Sequence, residues 1–137
     1  MRIVYWDSSY LIARALPGDR YHSSAVKAMD GCGDAQFMTS DEVLAEFLNF
    51  FCARGSFLRA AAIQAVKAII RDPRVTVIPQ SRESFSKGLE LYAKRKDKQY
   101  SLIDCISMSH MKTKCITEVL TTDHHFIQAG FKVLMAE

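Results

Sequence analysis

Residues 3–9 read Ile-Val-Tyr-Trp-Asp-Ser-Ser: four apolar or aromatic residues, then a carboxylate and two hydroxyls. A short, continuous apolar run followed by small polar residues has the pattern of a buried strand, and the polar residues that end it also open a helix, here through about Ala15. The same alternation recurs outward from this point. Leu16-Pro17-Gly18-Asp19 is a break, and His22 to Met29 has helical periodicity. Phe37-Met38 is a weak strand pattern ahead of Thr39-Ser40-Asp41-Glu42, which has the S/T-x-x-E capping-box form and predicts a helix to about Ala53. Phe57 to Arg71 predicts another helix, stopped by Asp72-Pro73.

Val75-Thr76-Val77-Ile78 is the clearest β-branched strand. Ser81 is placed to cap a helix from Arg82 to about Lys94. After a charged loop, Ser101 to Met111 is a strongly apolar helix. Val119-Leu120-Thr121 and Phe131-Lys132-Val133-Leu134 read as the last two strands. Strands separated by helices imply right-handed crossovers and an α/β fold: a three-layer α/β/α arrangement around a central, mostly parallel sheet. The 137 residues, 49% hydrophobic and 24% charged, suit a single domain over residues 1–137, and neither a repeat nor a linker interrupts them.

The global counts exclude several classes. The composition is not that of a disordered or low-complexity chain, and no apolar run approaches the ~20 residues of a membrane span. The amino terminus lacks a signal-peptide pattern, so the expected compartment is the cytoplasm. Four cysteines without a C-x-x-C pair do not form a zinc pattern; Cys52 and Cys105, in apolar helical stretches, read as buried free thiols.

In parallel sheets, sites form beyond the carboxyl ends of strands, near a switch in strand order. Asp7 follows the first strand, and Asp123 follows the Val119–Thr121 strand. Taken singly, each reads as a helix cap. Asp104, in Ser101-Leu102-Ile103-Asp104, has the S-x-x-D form of a capping box, but it also lies on a helix that is apolar nearly all round. Glu46 is too deep in its helix to cap it. It borders the stripe of Val43, Phe47, Phe50 and Phe51, with no Lys or Arg three or four residues away. A parallel sheet would bring all four acids to one rim. Two carboxylates ~4 Å apart repel by about 4 kcal/mol at an effective dielectric near 20, so four together call for a divalent hard cation. Mg²⁺ or Mn²⁺, with retained water, is the ion such oxygen ligands suit, and that water is a natural nucleophile toward a phosphodiester.

Asp7-Ser8-Ser9, Glu46, Ser101-x-x-Asp104-Cys105 and Thr121-x-Asp123-x-x-Phe126 fall in the order and spacing of PIN-domain nucleases. The chain resembles the VapC-type toxins of prokaryotic toxin–antitoxin pairs over essentially its whole length. The resemblance implies Mg²⁺- or Mn²⁺-dependent cleavage of single-stranded or looped RNA, with Asp7 and Asp104 as principal metal ligands. Glu46 and Asp123 would complete the acidic pocket, and Ser9 and Thr121 would steady the neighbouring carboxylates. It also implies homodimerisation and a small antitoxin seated in the acidic groove.

Lys94, Arg95, Lys96 and Lys98 are candidates for binding the RNA backbone, against the plainer reading of a solvated loop. Asp97, in the same loop, reads as a solvated acid. His124 and His125, adjacent on a helix, point about 100° apart, are a poor chelating pair and read as helix surface. Two rival functions remain open on sequence. One is a phospho-acceptor receiver domain, which would need adjacent acids after the first strand where this chain has serines. The other is an inactive binding module on the same fold. The net charge of +3 takes its meaning from the acids: with four of 15 pooled in one pocket, 18 basic residues face 11 remaining acidic ones, or +7 over the rest of the chain. That distribution suits a polyanionic substrate.

Overall fold

A computed structural model describes residues 1–135. Its elements run in the order β1 (Ile3–Trp6), α1 (Ser8–Ala15), α2 (His22–Asp30), β2 (Gln36–Ser40), α3 (Asp41–Phe51), α4 (Ser56–Arg71), β3 (Val75–Ile78), α5 (Arg82–Lys94), α6 (Leu102–Thr113), β4 (Glu118–Leu120), α7 (His125–Gln128) and β5 (Lys132–Val133). The sheet order is β3-β2-β1-β4-β5, and every pairing is parallel. The chain steps outward from β1 through β2 to β3, returns to the other side of β1 at β4, and ends at β5. The strand order therefore reverses at the β1/β4 pair, which makes the ends of those two strands the switch point. Right-handed crossovers place α1–α4 on one face and α5–α7 on the other. Consistent with this, α1 packs on α2 and α3, α3 on α4, α5 on α6, and α6 on α7.

The sheet is buried on both faces. Val4 and Tyr5 of β1, Phe37 of β2 and Val119 and Leu120 of β4 are all at most 1% exposed, so these strands read as continuous apolar runs, not as an alternation. Trp6 stacks on Phe37 at 5.0 Å between ring centroids and meets Tyr10 at 5.6 Å, fixing α1 to the sheet directly after Asp7. On the other face, Gly88 lets α5 lie against α6. A Cβ at that position would fall 2.3 Å from Ile106 Cγ1 and 3.3 Å from its Cα, so any side chain there would force Ile106 to move.

Four local expectations change. The cap of α3 is Ser40, whose hydroxyl accepts from Val43 N–H at 3.2 Å; Thr39 instead donates to Trp6 O at 3.0 Å, tying β2 to β1. That helix ends at Phe51, which leaves Cys52 exposed at its C-cap, whereas Cys105 is buried as expected. The closing strand is reduced to Lys132–Val133, since only two residues pair with β4. Phe47 and Phe51 are core residues, while Phe50 is half-buried under the Arg54 guanidinium at 3.9 Å. Among the described residues, no helix is long and apolar enough to cross a membrane.

Candidate metal centre

Asp7 leaves the end of β1 at the switch point. Its backbone N–H extends the ladder to Leu120 O at 3.1 Å, and its residue occupies the N-cap position of α1. The side chain does no capping. It turns back over the strand ends, where Oδ2 accepts from Thr121 Oγ1 at 2.7 Å and from Ser9 Oγ at 2.9 Å. Thr121 is fully buried at the end of β4 and also accepts from Asp123 N–H at 3.0 Å; Ser9 accepts from Thr122 N–H at 3.0 Å. The hydroxyls thus bind the β1 and β4 ends to each other through one carboxylate oxygen.

Asp104 arrives from the other layer. It is the N3 residue of α6 and forms the reciprocal capping box expected from the sequence: Ser101 Oγ accepts from Asp104 N–H at 3.0 Å, and Asp104 Oδ2 accepts from Ser101 N–H at 3.1 Å. Glu46 comes from the second turn of α3, half-buried, where Oε1 accepts from the Ser8 hydroxyl. Asp123 lies in the turn after β4, and its Oδ1 accepts from His125 N–H at 2.9 Å, which closes the turn leading into α7 and faces its carboxylate toward His125. Four elements therefore bring Asp7, Glu46, Asp104 and Asp123 near enough for their charges to act on one another, although of these only Asp104 and Asp123 belong to the tightest group of ligand atoms. Asp97 does not join them. It is exposed and paired with Arg95 at 3.1 Å.

The electrostatics follow from burial and crowding. Asp7, 3% exposed, has its carboxyl pushed up to about 6, first by burial and then by the charges of Asp104 and Glu46, against the opposing hydrogen bonds from Thr121 and Ser9. Glu46 is raised by burial, with Asp104 and Asp123 adding to it and Ser8 opposing. Asp104 is raised by burial and by Asp123, while Ser101 N–H and His125 pull it down. Among the described residues no Lys or Arg forms an ion pair with these four acids.

His125 is the residue that sequence reasoning missed. Its Nδ1 lies 3.3 Å from Asp104 Oδ2 and 3.2 Å from Asp123 Oδ1, and its ring is fixed edge-on against Tyr100 at 5.5 Å. The expectation of helix surface holds for exposed His124 but not for His125. The argument from adjacent histidines excluded only their mutual chelation, and the partners of His125 come from α6 and the β4–α7 turn. Ligand atoms of Asp104, Asp123 and His125 all lie within 4.8 Å of one another, so this group could hold a metal ion. Clustered carboxylates with one imidazole nitrogen, and no basic side chain to balance them, fit a divalent cation.

Comparison with known proteins bears on the same geometry. The family model for the PIN domain matches residues 4–132. The chain belongs to the PIN-domain family. It is therefore placed among nucleases, and the receiver-domain reading falls away. Over 132 residues this PIN-domain chain is 28% identical to the 23S rRNA-specific endonuclease VapC20 of Mycobacterium tuberculosis, covering 94% of this chain and 95% of that protein. The crystal structure of M. tuberculosis VapC20, described as a sarcin–ricin loop cleaving toxin, superposes with a TM-score of 0.85 at 25% identity over 97% of this chain and 99% of that one. FitAcB from Neisseria gonorrhoeae shares the fold at TM-score 0.71 and 15% identity, over 97% of this chain and 96% of that one. A toxin–antitoxin complex from Klebsiella pneumoniae matches at 0.60 and 16%, over 88% of this chain and 87% of that one.

Proposed function

We propose that this PIN-domain protein, as one domain over residues 1–137, is a divalent-metal-dependent endoribonuclease and the toxin of a toxin–antitoxin pair. The observation that carries this reading is the convergence of Asp7, Glu46, Asp104 and Asp123 at the β1/β4 switch point, with no Lys or Arg among the described residues paired to them. The similarity to VapC20 supports RNA as the substrate. A bound Mg²⁺ or Mn²⁺ would lower the pKa of a coordinated water and neutralise charge on the phosphoryl group.

The protein's own residues do the rest. Asp7 and Asp104 would hold the ion, with Asp123 and Glu46 completing the set. Thr121 and Ser9 hold Asp7 in one orientation, and the Ser101 backbone holds Asp104. Glu46, anchored through Oε1 by Ser8, orients the attacking water and accepts its proton. A water nucleophile needs no 2′-hydroxyl, so the products carry 5′-phosphate and 3′-hydroxyl ends. Lys94, Arg95, Lys96 and Lys98, in and beside the α5–α6 loop, contact the RNA backbone.

The fold shared with FitAcB and with the Klebsiella complex is consistent with an antitoxin partner, whose basic side chain would enter the acidic rim in place of the metal. We place the protein in the cytoplasm as a homodimer; sedimentation showing only monomer at micromolar concentration counts against the dimer. The deciding test of the activity is incubation of the purified protein with structured RNAs. Cleavage is expected with Mg²⁺ or Mn²⁺ and not with EDTA, and it should disappear in Asp7→Ala and Asp104→Ala. Cleavage that survives EDTA or either substitution overturns the proposal.

A further inference from the structure

A cleft of about 490 Å³ opens between the end of α5 and the start of α6, lined by Tyr92, Arg95, Lys96, Lys98, Tyr100 and Ser101. Its size is that of small-ligand pockets, roughly 300–1,000 Å³. It borders the acidic rim through two of its own walls. Tyr100 packs edge-on against His125, and Ser101 N–H donates to Asp104 Oδ2. Whatever sits in the cleft is therefore one residue's width from the carboxylates.

The lining has three features that point the same way. Lys96 and Lys98 form no ion pair among the described residues, whereas Arg95 is held by Asp97 at 3.1 Å with its guanidinium 6.0 Å from the Tyr100 ring centroid. Tyr92 is 51% exposed, a large aromatic surface that the fold itself does not cover. Tyr100 is only 5% exposed, yet its buried hydroxyl has no hydrogen-bond partner, which is costly unless a ligand supplies one. Free cations, an uncovered aromatic face and an orphaned hydroxyl match the parts of a nucleotide: phosphate, base face and base or sugar edge.

We propose that this cleft is a subsite for a single unstacked nucleotide of the RNA, next to the phosphodiester held at the acidic rim. Tyr92 stacks on its base, Lys96 and Lys98 take the flanking phosphates, and the Tyr100 hydroxyl bonds a polar edge of the base or ribose. The placement beside a scissile bond rests on the nuclease reading given above; the nucleotide site itself does not.

The test separates the two. Binding of a labelled single-stranded hexaribonucleotide is measured by fluorescence anisotropy in EDTA, where metal-dependent cleavage is silent, alongside cleavage in Mg²⁺. Tyr92→Ala should weaken binding about 10-fold, since stacking on one aromatic is worth roughly 1–3 kcal/mol. Removing the base at one position of the oligonucleotide should weaken wild type by a similar factor and leave Tyr92→Ala unchanged. Lys96→Ala with Lys98→Ala should reduce the slope of log K against log salt by about 1.4, at roughly 0.7 per phosphate on a single strand. Tyr100→Phe, which keeps the packed ring, should narrow the spread of affinities among the four homohexamers.

Binding within two-fold of wild type in both Tyr92→Ala and the double lysine variant, with cleavage intact, overturns the subsite and leaves the nuclease standing. Weakened binding in those variants, with no cleavage by wild type, upholds the subsite and overturns the nuclease. A preference of the cleft for a polyglutamate peptide over the hexaribonucleotide also overturns the proposal.

Discussion

At the turn after β1, Asp7 stands at the N-cap position of α1, yet its carboxylate accepts only from the side chains of Ser9 and Thr121. At the turn before α6, Asp104 stands at N3, and the same oxygen that faces His125 also accepts the Ser101 backbone N–H. Both residues are buried acids at helix starts. Asp7 depends on two hydroxyls, one from Ser9 in the first turn of α1 and one from Thr121 at the end of β4, and no backbone N–H supports its charge. Asp104 is supported by its own helix as well, and its site duty is superimposed on a stabilising one. A carboxylate that caps contributes to folding without a metal; one that does not cap is a cost until a cation arrives.

The largest expected effect would leave the two turns alike: Asp7→Asn and Asp104→Asn should each slow RNA cleavage by on the order of 10²–10³, read in single-turnover assays. The next separates them. The folded-state pKa of Asp7, about 6, lies above its ordinary 3.8, so the folded form binds the proton more tightly than the unfolded chain does. The stability this gives is present below about pH 4 and is lost as pH rises through about 6, a difference of roughly 3 kcal/mol. Urea unfolding in EDTA between pH 4 and 7 should show that loss in wild type and much less of it in Asp7→Asn. Equal slopes would mean that Asp7 is not the uncompensated charge. A third measurement works at fixed pH: with the box removed, Asp104→Ala should lose about 1 kcal/mol of stability at pH 7.5 in EDTA, while Asp7→Asn loses none. The smallest effect is in the hydroxyls. Ser9→Ala should cost a few tenths of a kcal/mol to about 1 kcal/mol in the melting curve, since Thr121 still donates to Asp7.

The two turns also show what a sequence can and cannot disclose. The capping box at Ser101 and the cap at Ser81 were legible because their partners lie within four residues, and β1 and β3 because apolar runs and β-branching are local signals; that Ser84 completes a box with Ser81 was not read. Four acids after strands or early in helices were enough to expect a shared rim. What stayed hidden depends on distant partners. Thr39 has the sequence of a cap, but Trp6 O, across the β1–β2 pair, claims its hydroxyl and the cap moves to Ser40. His125 looked like helix surface because its partners, Asp104 and Asp123, lie on other elements. The closing strand was overextended because Phe131 N–H turns back to Phe126 O at 3.0 Å and the pairing register ends at Val133, beyond which Leu134 adds one last bond, to Val119 O at 3.0 Å.

Gly88 has a bearing on all of this. With no side chain at position 88, α5 lies directly against α6 at Ile106. The basic loop is fastened at both ends to that helix pair, and Asp104 is built into it one turn past the loop. The distance from the cleft's helical wall to the acidic rim is thereby set in part by helix packing. A methyl group at position 88 would shift the cleft and the carboxylate against each other from a point on the far side of α6's first turns. On the proposed reading, the reach from the cleft to the acidic rim would depend on an alpha hydrogen at position 88.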